Sequence, residues 1–232
     1  MIKFREKDVH VYSADVGNDG GIDLDGCWHI LSSTEKAQAK RFHFDLHRHR
    51  YIRAHGQLRR ILALYLDTPP ENILIETESR GKPFVASHNI HFNMSHSADI
   101  AVFAVTGRGT IGIDVELFDR KVEIDELSRY YYTLTEQQAL ALLPEKERRE
   151  MFFWLWTAKE ARMKVTGEGL ALDPRLIDVV IEEGRLKSYR LPMEPKASLM
   201  AVFLDDLQGA CTVAGLFAPV VKLRSLDGIY LA

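Results

Sequence analysis

The chain has 232 residues, 46% hydrophobic and 27% charged, a globular balance with ample core material for one large domain or two small ones. A formal net charge of −3 and a pI near 6.3 argue against a general nucleic-acid binder, which would be basic. The two cysteines, Cys27 and Cys211, form no CxxC pair, MIKFREKD has no apolar signal-peptide core, and no run nears the ~18 apolar residues of a membrane span, so a cytoplasmic protein with reduced thiols is expected.

In chain order, residues 9–15 and 27–31 read as short strands. STEKAQAKRF (33–42) opens on capping residues and reads as a helix. DLHRHRYIRAHGQLRRILALYLD (45–67) is a stronger helix: Tyr51, Ala54, Leu58, Ile61, Leu62 and Tyr65 recur on one face, with Arg50, Arg53 and Arg60 opposite. TPPEN (68–72) breaks the chain, ILIETE (73–78) reads as a strand and SRGKP (79–83) as a cationic turn. HNIHFNMS (88–95), DIAVFAVT (99–106) and TIGIDVEL (110–117) read as successive strands. Helices are expected over 122–132, 135–143 and 146–167, then a hairpin over 176–191 turning at Gly184, and strands within 198–206 and 209–218. Helices between groups of antiparallel strands specify an α+β fold. The order of helix then strands occurs twice, switching near 106–110, which suggests two halves of similar build: 1–106 and 107–232.

GIDVE (112–116) places Asp114 and Glu116 at the end of an apolar run. Residues i and i+2 of a strand share a face, so these carboxylates repel unless something compensates. In WLWTAKEARMK (154–164), Glu160 and Lys164 are helix neighbours. Each feature taken alone is ordinary: a solvated strand end and a surface ion pair. If the helix packs beside the strand, Asp114, Glu116 and Glu160 converge as hard oxygen donors suited to Mg²⁺. In ESRGKP (78–83), Arg80 and Lys82 flank Gly81 ahead of Pro83, a cationic turn that reads as a solvated loop or a phosphate contact. In FNMSHS (92–97), Asn93 and Ser95 share a strand face, and Ser95 with His96 can donate to a phosphate. His88, His91 and His96 lack a fitting fourth ligand for zinc. The basic face of the 45–67 helix reads either as solvated or as an electrostatic docking face for an acidic helix or for a phosphate-bearing ligand.

Taken together, RGKP, FNMSHS, GIDVE and WTAKEARMK, in that order from Leu31 to Leu170, resemble the 4′-phosphopantetheinyl transferases of the surfactin-synthetase-activating (Sfp) type. The resemblance implies two similar α+β halves related by a pseudo-twofold, with coenzyme A in the cleft between them. The N-terminal half would supply nucleotide contacts and the C-terminal half the metal acids and catalytic helix. The implied reaction moves the 4′-phosphopantetheine arm of coenzyme A to a serine of an acyl or peptidyl carrier protein and releases adenosine 3′,5′-bisphosphate.

By motif, Asp114, Glu116 and Glu160 would hold Mg²⁺, with Mn²⁺ an alternative. Glu160 would serve as base and Lys164 would face the pyrophosphate. Arg80, Gly81, Lys82 and Pro83 would meet the nucleotide end, and Asn93, Met94, Ser95 and His96 the phosphates, with Arg50 a further phosphate contact. The family often has a cation where this chain has Gln38, and Lys36 or Lys40 would substitute. A monomer is expected, without nucleic acid or membrane. The rival readings are a non-catalytic member that binds coenzyme A or a carrier, and a nucleic-acid module built on the Arg- and His-rich helix.

Overall fold

The computed structural model describes residues 2–17, 21–86, 88–182, 185–190, 197–204 and 207–226. The N-terminal elements are β1 (Asp8–Asp15), α1 (Leu24–Ile30), α2 (Ser33–Ala39), α3 (Asp45–Leu66), β2 (Glu76–Thr77), β3 (Pro83–Phe84), β4 (His91–Ser97) and β5 (Ile100–Thr106). They are followed by β6 (Ile111–Leu117), α4 (Ile124–Tyr131), α5 (Leu134–Ala141), α6 (Glu145–Thr166), β7 (Asp178–Glu182), β8 (Arg185–Arg190), β9 (Ala197–Ala201), β10 (Gly209–Gly215) and β11 (Val220–Leu223). Among the described residues no helix is long and apolar enough to cross a membrane.

The alternation of side chains along the strands sets the layers. In β1 and β5, Tyr12, Ala14, Ala101, Phe103 and Val105 pack on α3 through Leu58, Ile61 and Leu62. Their neighbours Val9, Val11, Val102 and Ala104 join Ile113, Val115, Cys211 and Val213 of the other sheet. The remaining face of that sheet packs on α6 through Ala210, Ala214, Leu155 and Ala161. The layers therefore run helix, sheet, sheet, helix, as an α+β fold requires.

The first sheet has the order β11-β1-β5-β4 and the second β6-β10-β9-β8-β7. Among the described residues every pairing is antiparallel except β1 with β11, which is parallel. The strand at 220–223 was not anticipated: its apolar residues are half-exposed and carry no alternation a core would impose.

Three local expectations are corrected. Residues 27–30 belong to helix α1, with Leu31 as its extended C-cap, because the Asp23 carboxylate accepts from the N–H groups of Asp25 and Gly26 and starts a helix where apolar content alone suggests a strand. The strand at 73–78 shrinks to Glu76–Thr77, since Leu74 faces solvent. The arginine face of α3 is largely spent within the protein, Arg53 donating to the Ile22 and Val16 carbonyls. The hairpin turn expected at Gly184 lies outside the described residues.

The two halves share a buried ion clamp. In the first, Ser32 and Glu35 form the capping box of α2, and Glu35 accepts from Arg59 of α3 at 2.7 Å. Arg59 also donates to the carbonyls of Pro70 and Ile73. In the second, Thr133 and Glu136 form the capping box of α5, and Lys159 of α6 meets Glu136 at 2.8 Å. Lys159 also donates to the carbonyls of Pro174 and Ile177. Cap, glutamate, long-helix cation, proline carbonyl and isoleucine carbonyl recur in the same order. Burial alone would raise the Glu35 carboxyl, but hydrogen bonds from His55 and Ser32 and the Arg59 charge hold it at about 2.

Both side chains of the Lys159–Glu136 pair are 2% exposed. Removing one partner strands a buried charge, which costs about 3–5 kcal/mol. Lys159→Met is expected to lose that much in urea unfolding, and Lys159→Met with Glu136→Gln, which removes the stranded charge but keeps an acceptor for the Thr133 and Val179 N–H groups, to recover part of it. A loss below about 1 kcal/mol in the single variant would show that the pair is not a clamp.

Candidate functional site

β4 and β6 are edge strands of different sheets, and polar side chains rather than backbone pairs join them. Asn93 Oδ1 accepts from the Ile113 N–H at 2.9 Å, and Ser97 Oγ accepts from the Leu117 N–H at 3.3 Å. Between them, Ser95 Oγ donates to Asp114 Oδ1 at 2.7 Å, and Ser97 Oγ donates to Glu116 Oε2 at 2.8 Å. The period of two thus carries Asn93, Ser95 and Ser97 onto one line, facing a second line of Asp114 and Glu116. Gly112 permits the approach of α6: a Cβ there would stand 2.0 Å from the Ala161 carbonyl oxygen.

That approach delivers Lys164. Its Nζ donates to Asp114 Oδ1 at 2.6 Å, to Ser95 Oγ at 2.9 Å and to the Ile113 carbonyl at 3.2 Å. Arg120, unremarked in the sequence, pairs with Glu116 Oε1. Glu160 lies in the same field: burial raises its carboxyl, Asp114 raises it further, Lys164 opposes, and Glu116 adds to the rise. Burial likewise raises Glu116, against Ser97 and Arg120, with Asp114 adding to the rise. Asp114 is 5% exposed, and its Oδ2 is buried without a hydrogen-bond partner.

Among the described residues no three acidic, histidine or cysteine side chains stand close enough to enclose a metal as placed. Lys164 and Arg120 supply the counter-charge instead. In type, the donor set fits a hard divalent ion: an orphaned buried carboxylate oxygen and two neighbouring carboxyls raised by burial and mutual repulsion.

A cleft of about 560 Å³ opens beside this seam, lined by His47, Arg50, His96, Ser97, Glu116 and Arg120. Arg50 Nε donates to Asp99 Oδ1 at 2.7 Å on its rim, and His96 is exposed there. A second cleft of about 710 Å³ is lined by Gln38, Tyr51, His55, Pro83 and Met94 among others. Arg80 is open to solvent and pairs with Glu168 at 3.3 Å, and Gly81 has a φ of 91°. Lys82 is turned inward. Its ammonium donates to the carbonyls of Ile111, Lys164 and Val165, and burial lowers it to about 8, with Glu78 opposing. Lys159, beside Glu160 in sequence, points about 100° away around α6, into the clamp with Glu136. Ser97, Arg120 and Asp99 escaped the sequence reading. The signal for Ser97 was its two-residue spacing from Ser95.

Two family models together match most of the chain. Residues 110–210 match the 4′-phosphopantetheinyl transferase superfamily, and residues 23–108 match the N-terminal region of 4′-phosphopantetheinyl transferase. A relative from Nostoc sp., named 4′-phosphopantetheinyl transferase HetI, is 36% identical over 190 residues, covering 80% of this chain and 79% of its own. The chain belongs to the 4′-phosphopantetheinyl transferase superfamily. The 4′-phosphopantetheinyl transferase psf-1 of Bacillus pumilus is 32% identical over 164 residues, covering 70% of this chain and 69% of its own. The 4′-phosphopantetheinyl transferase Sfp of Bacillus subtilis is 26% identical over 164 residues, covering 70% and 72%. Members of this superfamily are enzymes, and the seam of acids and Lys164 is the candidate active site of this one.

Glu160 is raised in the folded chain, so between its ordinary and its raised value the folded state binds more protons than the unfolded state. Its penalty is absent below the ordinary carboxylate range and complete once pH exceeds the raised value. In chelator at pH 7, Glu160→Gln is expected to raise the melting temperature, because it removes a carboxylate whose charged form burial and Asp114 disfavour. The gain should shrink toward pH 4. A gain independent of pH would sever it from the carboxyl charge.

Proposed function

We propose that the chain is a transferase of the Sfp type, moving the 4′-phosphopantetheine arm of coenzyme A to a serine of an acyl or peptidyl carrier protein in a Mg²⁺-dependent reaction. The observation that carries this reading is the convergence of Asp114, Glu116, Glu160 and Lys164 on one seam, with an unpartnered carboxylate oxygen in its midst. Family membership supports the reaction type. In this reading the boundary between halves falls near 106–110, residues 220–223 complete the first sheet, and the protein acts as a cytoplasmic monomer.

Asp114, Glu116 and Glu160 would hold Mg²⁺, or Mn²⁺, which when bound supplies the positive charge that stabilises the pyrophosphate as it breaks. Arg50, Arg80 and His96 offer donors to the phosphates, and Pro83 and Met94 line the cleft offered to the nucleotide. Glu160, made more basic by burial and by Asp114, takes the proton of the carrier serine. The serine oxygen bonds to the β-phosphorus as the bond to the α-phosphate oxygen breaks, and adenosine 3′,5′-bisphosphate departs. Lys164, anchored on Asp114 and Ser95, keeps a fixed cation beside the charge that develops on the leaving oxygen. Neither a nucleophile nor a covalent intermediate on the protein is needed.

Labelled coenzyme A and Mg²⁺, incubated with apo carriers of fatty-acid, polyketide and nonribosomal-peptide type, should label at least one carrier serine. Glu160→Gln and Asp114→Asn should each lower the rate at least 100-fold, about 2.7 kcal/mol of transition-state stabilisation. Mg²⁺ should raise the melting temperature of the native chain and not that of Asp114→Asn. Full activity of either variant would remove the acids from the mechanism, and the absence of labelling on every carrier would favour a binding protein without turnover.

A further inference from the structure

The turn at 78–83 sits against the end of α6. A helix leaves its last carbonyls without intrahelical partners, and its C-terminus favours a nearby cation. In α6 those carbonyls include Lys164 and Val165, and Lys82 Nζ donates to them at 2.5 and 2.7 Å. β6 is an edge strand, and Lys82 also donates to its first carbonyl, at Ile111, at 2.9 Å. An ammonium has three N–H groups, so every donor of Lys82 has an acceptor on the second half of the chain.

The stem is held as well. Gly167 ends α6 with a φ of 69°, and a Cβ there would come within 3.1 Å of Lys82 Cβ. Arg80 of the same turn meets Glu168 just beyond. Both cations of RGKP are therefore directed to the end of α6, one residue of which is Lys164.

We infer that Lys82 is a positioning residue: it caps α6 from the other half of the chain, fixes that helix end against the start of β6, and so sets where Lys164 stands relative to Asp114 and Ser95. At Lys82 the phosphate contact that a cationic turn suggests is replaced by a mechanical one, while Arg80 of the same turn stays open to solvent. A cation committed to three carbonyls adds little to nucleotide affinity and much to the geometry of the reacting groups. The inference rests on the transferase reading for its kinetic part alone, since the cap itself has a readout without turnover.

The test compares the full chain with Lys82→Met and Gly167→Ala. The second keeps the ammonium but strains the cap and pushes on the lysine stem. Backbone hydrogen exchange at 111–114 and 161–167 is expected to quicken at least tenfold in both. Transfer should show a kcat reduced 10- to 100-fold with KM for coenzyme A within threefold of the native value. The Kd for adenosine 3′,5′-bisphosphate, by calorimetry, should also change less than threefold. Unchanged exchange in Lys82→Met, or a tenfold weaker Kd for the bisphosphate with kcat retained, would overturn the inference in favour of a direct phosphate contact. If the native chain labels no carrier, the transferase reading fails, and exchange still decides whether Lys82 is the cap.

Discussion

The arrangement depends on how two sheet edges are joined. Edge strands carry unpaired N–H and C=O groups that must be covered. Here β4 covers β6 with side chains, Asn93 and Ser97 accepting from its backbone and Ser95 from Lys164. A backbone ladder would have paired the same groups but turned the side chains out onto the two faces of a continuous sheet, away from the seam. The polar seam accomplishes both: it closes the contact between the halves and orients Asp114 and Glu116. The repulsion between those acids is tolerated because Lys164 and Arg120 answer it.

Around that seam the two halves are braced alike. Each long helix carries a buried cation that meets a capping-box glutamate and then two backbone carbonyls beyond the helix end. Buried charges are costly unless every donor is satisfied, and here each is tied to several acceptors. In α6, Lys159 serves this brace while its neighbour Glu160 serves the site. The adjacent residues of one motif thus divide between architecture and chemistry because a helix turns about 100° per residue.

Much of this was legible in the sequence. The face shared by Asp114 and Glu116 followed from strand alternation, and the long helices from their apolar period. Their approach was inferred only conditionally, because nothing in the residues from 112 to 116 reveals that Gly112 admits the Ala161 carbonyl. Helix α1 was hidden by its apolar CWHI run, whose fate turned on one capping carboxylate, that of Asp23. The arginines of α3 and the lysines at 82 and 159 were illegible for a different reason. Arg53, Arg59 and the two lysines all donate to backbone carbonyls, which every residue possesses and no sequence pattern marks, and the carboxylates that Arg59 and Lys159 also meet lie more than 20 residues away in sequence.

Strand β11 pairs in parallel with β1, Val220 N–H donating to the Lys7 carbonyl and Arg224 N–H to that of Val11. This union spans almost the whole length of the chain. During synthesis on a ribosome, β1 emerges well before β11, so one of its flanks stays bare until residues 220–223 follow. The first sheet thus cannot close before the segments between β1 and β11 have been made, and until then the nascent chain carries an unpaired, adhesive border.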